Sequence, residues 1–194
     1  AKVVNIDTEQ KTIYAPPLHS LLELQKEANK FYGFTSQQTL KIAQSLYEKK
    51  LITYPRTESK HLPTEFARQI SSNLSAIAAY EPFTEVANGI LQNREHIQKT
   101  MRQKKYVDDK KLTDHHAITV TEQSIGRKKL SHEEKKVYEL ICKRLLAIFM
   151  PPYVYDKTAM YVKSGEHYFK ANGQMVIDKG FTVLYETKKQ GAAT

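Results

Sequence analysis

Strand-like residues occupy both ends of this chain, and every segment with clear helix punctuation lies between them. Residues 3–15 read as two short strands around Thr8-Glu9-Gln10, and the pattern is β again from Tyr153 onward. Ser164-Gly165 is suited to a first hairpin turn. Asn172-Gly173, flanked by Tyr168–Ala171 and Gln174–Ile177, is a strong type I′ signal for a second. Asp178-Lys179-Gly180 then turns into a further strand-like run, Phe181–Tyr185. In the middle, Ser20 with Glu23, Thr35 with Gln38 and Ser131 with Glu134 fit the capping box that opens a helix. The first of these helices carries Leu21, Leu24, Ala28 and Phe31 on one face and stops at Gly33. The second runs from about Ser36 to Lys50. The last, near 132–149, aligns Val137, Leu140, Ile141, Leu145 and Ile148 and is ended by Pro151-Pro152. The expected architecture is α+β: a mainly helical unit, residues 17–150, inserted between the strands of a β-rich unit made of 1–16 and 151–187, with 188–194 as a tail. No internal repeat or low-complexity segment interrupts it.

With 194 residues the chain can bury a real core in one or two domains. Its net charge of +9 and pI near 9.4 favour a polyanionic partner. A single cysteine, Cys142, excludes an internal disulfide and a Cys-rich zinc site; in an apolar helical stretch it reads as a buried thiol. No apolar run reaches membrane-spanning length and no secretory leader is visible, so a cytoplasmic location is expected, nucleoid-associated if the source is bacterial. The start without Met and the Gly191-Ala192-Ala193-Thr194 end suit an excised fragment, and processing could do the same. Lys104-Lys105, Lys110-Lys111 and Arg127-Lys128-Lys129 can supply the salt-sensitive, sequence-independent part of nucleic-acid binding. Tyr106 beside the first cluster suits base stacking or core packing equally. Asp108 and Asp109 sit in a Lys-rich run that reads as a loop, and no acidic cluster able to hold magnesium is present. The adjacent His115 and His116 have no Cys or carboxylate at ligand spacing, so no metal is assigned to this chain.

The run Leu51-Ile52-Thr53-Tyr54-Pro55-Arg56-Thr57-Glu58-Ser59 carries the chemistry. If extended, it projects Tyr54 and Arg56 to the same side, with Pro55 stiffening the backbone between them. A phenol beside a guanidinium suits attack on a phosphodiester: the phenol oxygen is the nucleophile, and the arginine grips the phosphate and its growing charge. Phenols ionise near pH ~10, so such a nucleophile needs a nearby cation or proton acceptor. Thr57 and Ser59 are suited to touching DNA or to capping local backbone.

This run resembles the active-site segment of type IA DNA topoisomerases. Three more stretches agree in order and spacing: Pro16-Pro17-Leu18 leading into Leu21–Asn29, the helix Gln38–Glu48, and Thr113-Asp114-His115-His116-Ala117-Ile118, whose doubled histidine looks most like the topoisomerase III subgroup. The resemblance covers residues 1 to about 187. It implies an ATP-independent isomerase acting on DNA: Tyr54 attacks single-stranded DNA, leaving a 5′-phosphotyrosine link and a free 3′-hydroxyl, another strand passes, and the break reseals. It implies Arg56 as the phosphate-stabilising arginine and His115 as a catalytic histidine near the scissile phosphate. Thr57, Ser59 and His116 are DNA-binding candidates. It implies a helical catalytic-tyrosine domain with a helix-turn-helix-like core inserted into a strand-rich hinge, working as a monomer with the rest of a topoisomerase chain. Mg2+ and the acid-base partners of the tyrosine belong to a separate Toprim domain, without which this region is inactive. Glu58 stands where the family often has Asp, and Thr119 where some members have Arg, so neither inherits a role. The rival reading is a non-catalytic nucleic-acid-binding module of helix-turn-helix type. A tyrosine recombinase or relaxase fits less well, because those need other Arg and His spacings around the tyrosine.

Overall fold

A computed structural model of the chain describes residues 1–126 and 128–186, and shows a mixed α+β protein. Arg127 of the third basic cluster, residue 187 and the 188–194 tail lie outside the described residues. Two compact units emerge, one formed by Ala1–Ala15 with the segment from Met150 onward, the other by Pro16–Phe149.

The first unit is an antiparallel three-stranded sheet of β1 (Lys2–Ile13), β2 (Tyr153–Ser164) and β3 (His167–Asp178), in that order. The strand β1 is continuous, not two runs. Thr8, Glu9 and Gln10 pair in register with Thr158, Lys157 and Asp156, and the irregularity lies between Val3 and Asn5. Polarity there reflects a strand wet on its surface rather than a turn: the Thr8 and Thr158 hydroxyls meet at 3.0 Å. The hairpin falls at Gly165-Glu166, with Ser164 opposite His167 and Gly165 at φ 62°, a left-handed value that suits glycine. Asn172-Gly173, against expectation, makes no turn. Both residues sit mid-strand opposite Ala159 and Thr158. A turn there would fold 168–171 onto 174–177 and forfeit the ladder that the full length of β2 offers. Likewise Phe181–Tyr185 is not a strand but part of a 3-10 turn, Gly180–Tyr185, that buries Phe181 and Leu184. Gly180 (φ 47°) is pressed onto the backbone of Pro151 and Pro152 so closely that a Cβ would lie 2.2 Å from the Pro152 carbonyl oxygen.

The second unit is helical: α1 (Leu21–Tyr32), α2 (Ser36–Glu48), α3 (Thr64–Arg68), α4 (Ile70–Ala78), α5 (Thr84–Leu91), α6 (Arg94–Met101) and α7 (His132–Ala147). Two capping boxes form in full, at Thr35/Gln38 and Ser131/Glu134. At Ser20 only half forms: its hydroxyl accepts from the Glu23 N–H, but the Glu23 carboxylate turns to Lys26 and Lys60. Leu24 and Ala28 face the core as expected, whereas Phe31 is exposed. Helix α7 buries Val137, Leu140, Ile141, Leu145 and Cys142, and so much else along its C-terminal half that it serves as the central post of the unit. Glu134 closes its cap and also accepts from Lys49 Nζ at 2.6 Å and Ser45 Oγ at 2.7 Å, tying α7 to the end of α2. Among the described residues no helix is long and apolar enough to cross a membrane.

Helix α2 stops two residues earlier than its apolar pattern suggests. The Lys50 N–H bonds to the Tyr47 carbonyl (2.8 Å) and the Leu51 N–H to the Leu46 carbonyl (3.0 Å), with Lys50 at φ 61°. This is a Schellman ending, completed by apolar Leu46 and Leu51, both fully buried. It turns the chain sharply out of α2 and into the 51–59 run.

Candidate active site

The 51–59 run is held to a second segment, 115–121, by hydrogen bonds along most of its length. Ile52 bridges Val120, the Thr53 N–H bonds to the Thr119 carbonyl (2.9 Å), and Thr53 Oγ1 donates to the Ala117 carbonyl (3.1 Å). Beyond Tyr54 the backbone is not extended. It bends at Pro55-Arg56, where the Thr57 N–H reaches back to the Pro55 carbonyl (3.1 Å). The same-side projection expected of a strand therefore does not apply.

Tyr54 is half-buried, and its ring is clamped. The Tyr47 ring meets it edge-on at 5.4 Å between centroids and 76°, and the His115 ring lies against it at 4.3 Å. Among the described residues its hydroxyl has no hydrogen-bond partner, so the phenol oxygen is free to take a substrate. Tyr47, in the last turn of α2, was not singled out from the sequence. A tyrosine on an amphipathic helix reads as surface, and its one signal is that it precedes the turn into the 51–59 run.

The structure brings the His115 ring to Tyr54 and opens Arg56 to solvent. Arg56 is exposed, with no ion-pair partner among the described residues, and lines two neighbouring clefts of about 620 and 530 Å3, against Lys41 of α2 and Gln25 of α1. It presents an unneutralised guanidinium where an anion can enter from solvent.

Thr57 and Ser59, the DNA-binding candidates, are both buried, and their hydroxyls serve the local backbone. Thr57 Oγ1 donates to the His115 carbonyl (3.1 Å) and accepts from the Ser59 N–H (3.1 Å); Ser59 Oγ accepts from the His61 N–H (3.2 Å). They fix the loop that carries Arg56. His116 points the other way from His115: its ring packs on Phe66 at 5.0 Å, and Nδ1 donates to the Ala117 carbonyl (2.8 Å). Burial holds its imidazole below the ordinary value. Thr119 is fully buried, its hydroxyl without a partner among the described residues, so no phosphate reaches it. Tyr106 is also buried and belongs to the core. Asp109 opens a 3-10 turn, and its carboxylate accepts from the Thr64 N–H (2.9 Å).

Beneath the loop lies a buried ionic cluster. His19 Nε2 bonds to the Glu27 carboxylate, which also accepts from Arg144 at 2.9 Å; Arg144 donates in addition to the Pro17 carbonyl (2.9 Å). Burial pushes His19 below its ordinary value; Nε2 donates to Glu27, and Nδ1 has no partner among the described residues. Burial pushes Glu27 the opposite way, but the His19 bond and the Arg144 charge outweigh it and hold the carboxyl low. The cluster anchors the site through the backbone: the His19 carbonyl accepts from Ile118, and the next-but-one N–H, Leu21, bonds to the Thr57 carbonyl (2.9 Å).

Among the described residues no group of three or more His, Cys, Asp or Glu is placed to hold a metal ion. Around Tyr54 and Arg56 the donors are rings and a cation, with the exposed carboxylate of Glu58, and this set does not fit magnesium.

A ring-clamped tyrosine whose phenol has no partner among the described residues, followed two residues on by an exposed arginine, thus stands on a helical scaffold. The family model described as DNA topoisomerase matches residues 1–194, and the chain belongs to that family. Among individual proteins it is similar to DNA topoisomerase 3 of Bacillus cereus, at 36% identity over 191 residues that make up 97% of this chain and 25% of the relative. DNA topoisomerase 3 of Bacillus subtilis is 35% identical over 191 residues, 98% of this chain and 25% of the relative. The full-length topoisomerase I from Thermotoga maritima superposes with a TM-score of 0.62 at 27% identity, covering 100% of this chain and 31% of that structure. The chain thus spans about a quarter of the length of the curated relatives it matches.

Proposed function

We propose that this chain is the tyrosine-bearing region of a type IA DNA topoisomerase of the topoisomerase III kind, with residues 17–150 as the catalytic-tyrosine domain and 1–16 with 151–187 as part of a hinge. The observation that carries the reading is the clamped Tyr54 ring with its hydroxyl unengaged. In the reaction a bond forms between the Tyr54 oxygen and phosphorus, the bond from phosphorus to the 3′ oxygen breaks, and the phenol proton ends on the departing 3′-hydroxyl. Arg56 holds non-bridging oxygens, and His115, against the Tyr54 ring, bonds to the same phosphate. Resealing reverses the steps, so no ATP is consumed. Tyr47 fixes the ring, and Thr57 and Ser59 fix the loop, acting on DNA through Arg56 rather than by touching it. His116 positions His115. Magnesium is held by an acidic Toprim domain rather than by these residues, and no step above runs through it. The partner is single-stranded DNA, the working form a monomer, and the location cytoplasmic and nucleoid-associated.

The test mixes labelled single-stranded DNA with the chain, with and without a Toprim domain in trans. A denaturant-resistant adduct mapped by mass spectrometry to Tyr54, and absent in Tyr54→Phe, is the expected result. An adduct that survives Tyr54→Phe refutes the assignment. Salt-sensitive binding with no adduct under either condition leaves a Toprim domain that failed to dock or the non-catalytic binding module, and the parent chain with and without Tyr54 decides between them.

A further inference from the structure

A second cleft, of about 770 Å3, opens between α3, α4 and α6 and shares no lining residue with the two clefts at Arg56. Arg68, from the end of α3, faces it together with Arg94 and Arg102, which bracket α6. Gln98 lies between those two, and the four-residue spacing puts all three on one face of the helix. From Arg94 to Arg102 the row runs about 12 Å, enough to meet more than one phosphate of an extended strand. All three arginines are exposed, and none has an ion-pair partner among the described residues. No Asp or Glu lines the cleft. Thr64 of the lining is itself engaged, donating its N–H and hydroxyl to Asp109. The floor is apolar, with Ile97 and Met101 both buried.

Three forked cations left unneutralised around one apolar trough cost folding stability through mutual repulsion, which a phosphodiester backbone relieves. We infer that this cleft is a second nucleic-acid site, taking the backbone of a single strand: phosphates on Arg68, Arg94 and Arg102, sugars over the apolar floor. The inference rests on the topoisomerase reading. With no aromatic ring in the lining on which a base can stack, binding is independent of sequence. A single row on one helix face fits one strand rather than a duplex. The site is one short helix away from the tyrosine: α3 turns Arg68 to the cleft and Phe66 to the His116 ring, and His115 beside it holds Tyr54.

The test is fluorescence anisotropy with a labelled oligothymidylate, titrated over salt, on three proteins. These are the chain itself, Arg68→Ala/Arg94→Ala/Arg102→Ala, and a control of equal charge, Lys157→Ala/Lys163→Ala/Lys170→Ala on the sheet. Alanine at exposed helix positions preserves the helices, and far-UV circular dichroism checks this. Removing three phosphate contacts is expected to weaken binding at least tenfold at low salt and to flatten the log–log salt slope by about 2, with the lysine control losing less than half as much. Equal losses in both variants reduce the effect to net charge and overturn the site, as does an arginine variant that binds like the parent. A duplex probe as sensitive as the single strand overturns the single-strand assignment. A parent chain with no salt-sensitive binding sinks the topoisomerase reading and the cleft together, whereas a binding parent with indifferent arginines sinks only the cleft.

Discussion

Tyr54 is positioned by rings rather than by hydrogen bonds, and this sets which substitutions matter. Tyr47 meets it in a T-shaped ring contact, so Tyr47→Phe, which keeps the ring, should leave adduct formation nearly unchanged. Tyr47→Ala should slow it about 10- to 100-fold, the usual effect of a slightly misplaced reacting group. Quench-flow of the adduct, with Toprim in trans, compares the two; equal rates in all three proteins would remove Tyr47 from the site. Glu27 answers to two buried partners, so Glu27→Gln leaves the Arg144 charge without its counter-ion and should cost about 3 kcal/mol, read as a lower urea midpoint. At this scale the sequence located the 51–59 run and, with the 113–118 stretch, the His115 ring that the structure sets against Tyr54. It could not assign the hydroxyls of Thr57 and Ser59, because a buried hydroxyl on local backbone and one awaiting DNA share a sequence. Nor could it show the Glu27–Arg144 pair, whose members lie 117 residues apart.

Among the elements, helices announced by reciprocal caps were readable, and α2 and α7 start as their boxes require. The short helices α3 to α6 carry no complete box; Asn93, whose side chain accepts from the His96 N–H, is the single side-chain cap among them. The Schellman ending of α2 was invisible because lysine, not glycine, occupies its left-handed position. Lys50→Gly should relieve that strain and, after the entropy glycine adds to the unfolded chain, stabilise by about 0.5 kcal/mol. Chemical denaturation measures it, and a loss of stability would show that the Lys50 side chain contributes more than its backbone costs. Asn172-Gly173 teaches the converse: a turn-forming pair yields to a strand when a long partner is available.

For the molecule as a whole, the strand-then-helix-then-strand order was legible from β1 through β3, since it rests on periodicity sustained over many residues. The acid response follows from burial. His19, His61 and His116 are all held below the ordinary imidazole value, chiefly by burial. The unfolded chain therefore binds protons at pH values where the folded chain does not. Stability should be full above pH ~6.5 and fall as the pH drops below it. Glu27, held low, adds a further loss in more acid solution as its carboxyl protonates. Urea midpoints at pH 7.5, 6 and 5 test the sign; a midpoint that rises on acidification would contradict it.

The sheet has a mechanical consequence. Every residue of β3 is exposed and none of β2 is fully buried, so beyond the Gly180–Tyr185 turn the strands have little packed layer behind them. A ribbon of this kind resists stretching along its strands, where the ladder bears the load. It bends easily out of its plane, because bending opens no core. It is stiff in tension and compliant in flexure, the properties of a strap.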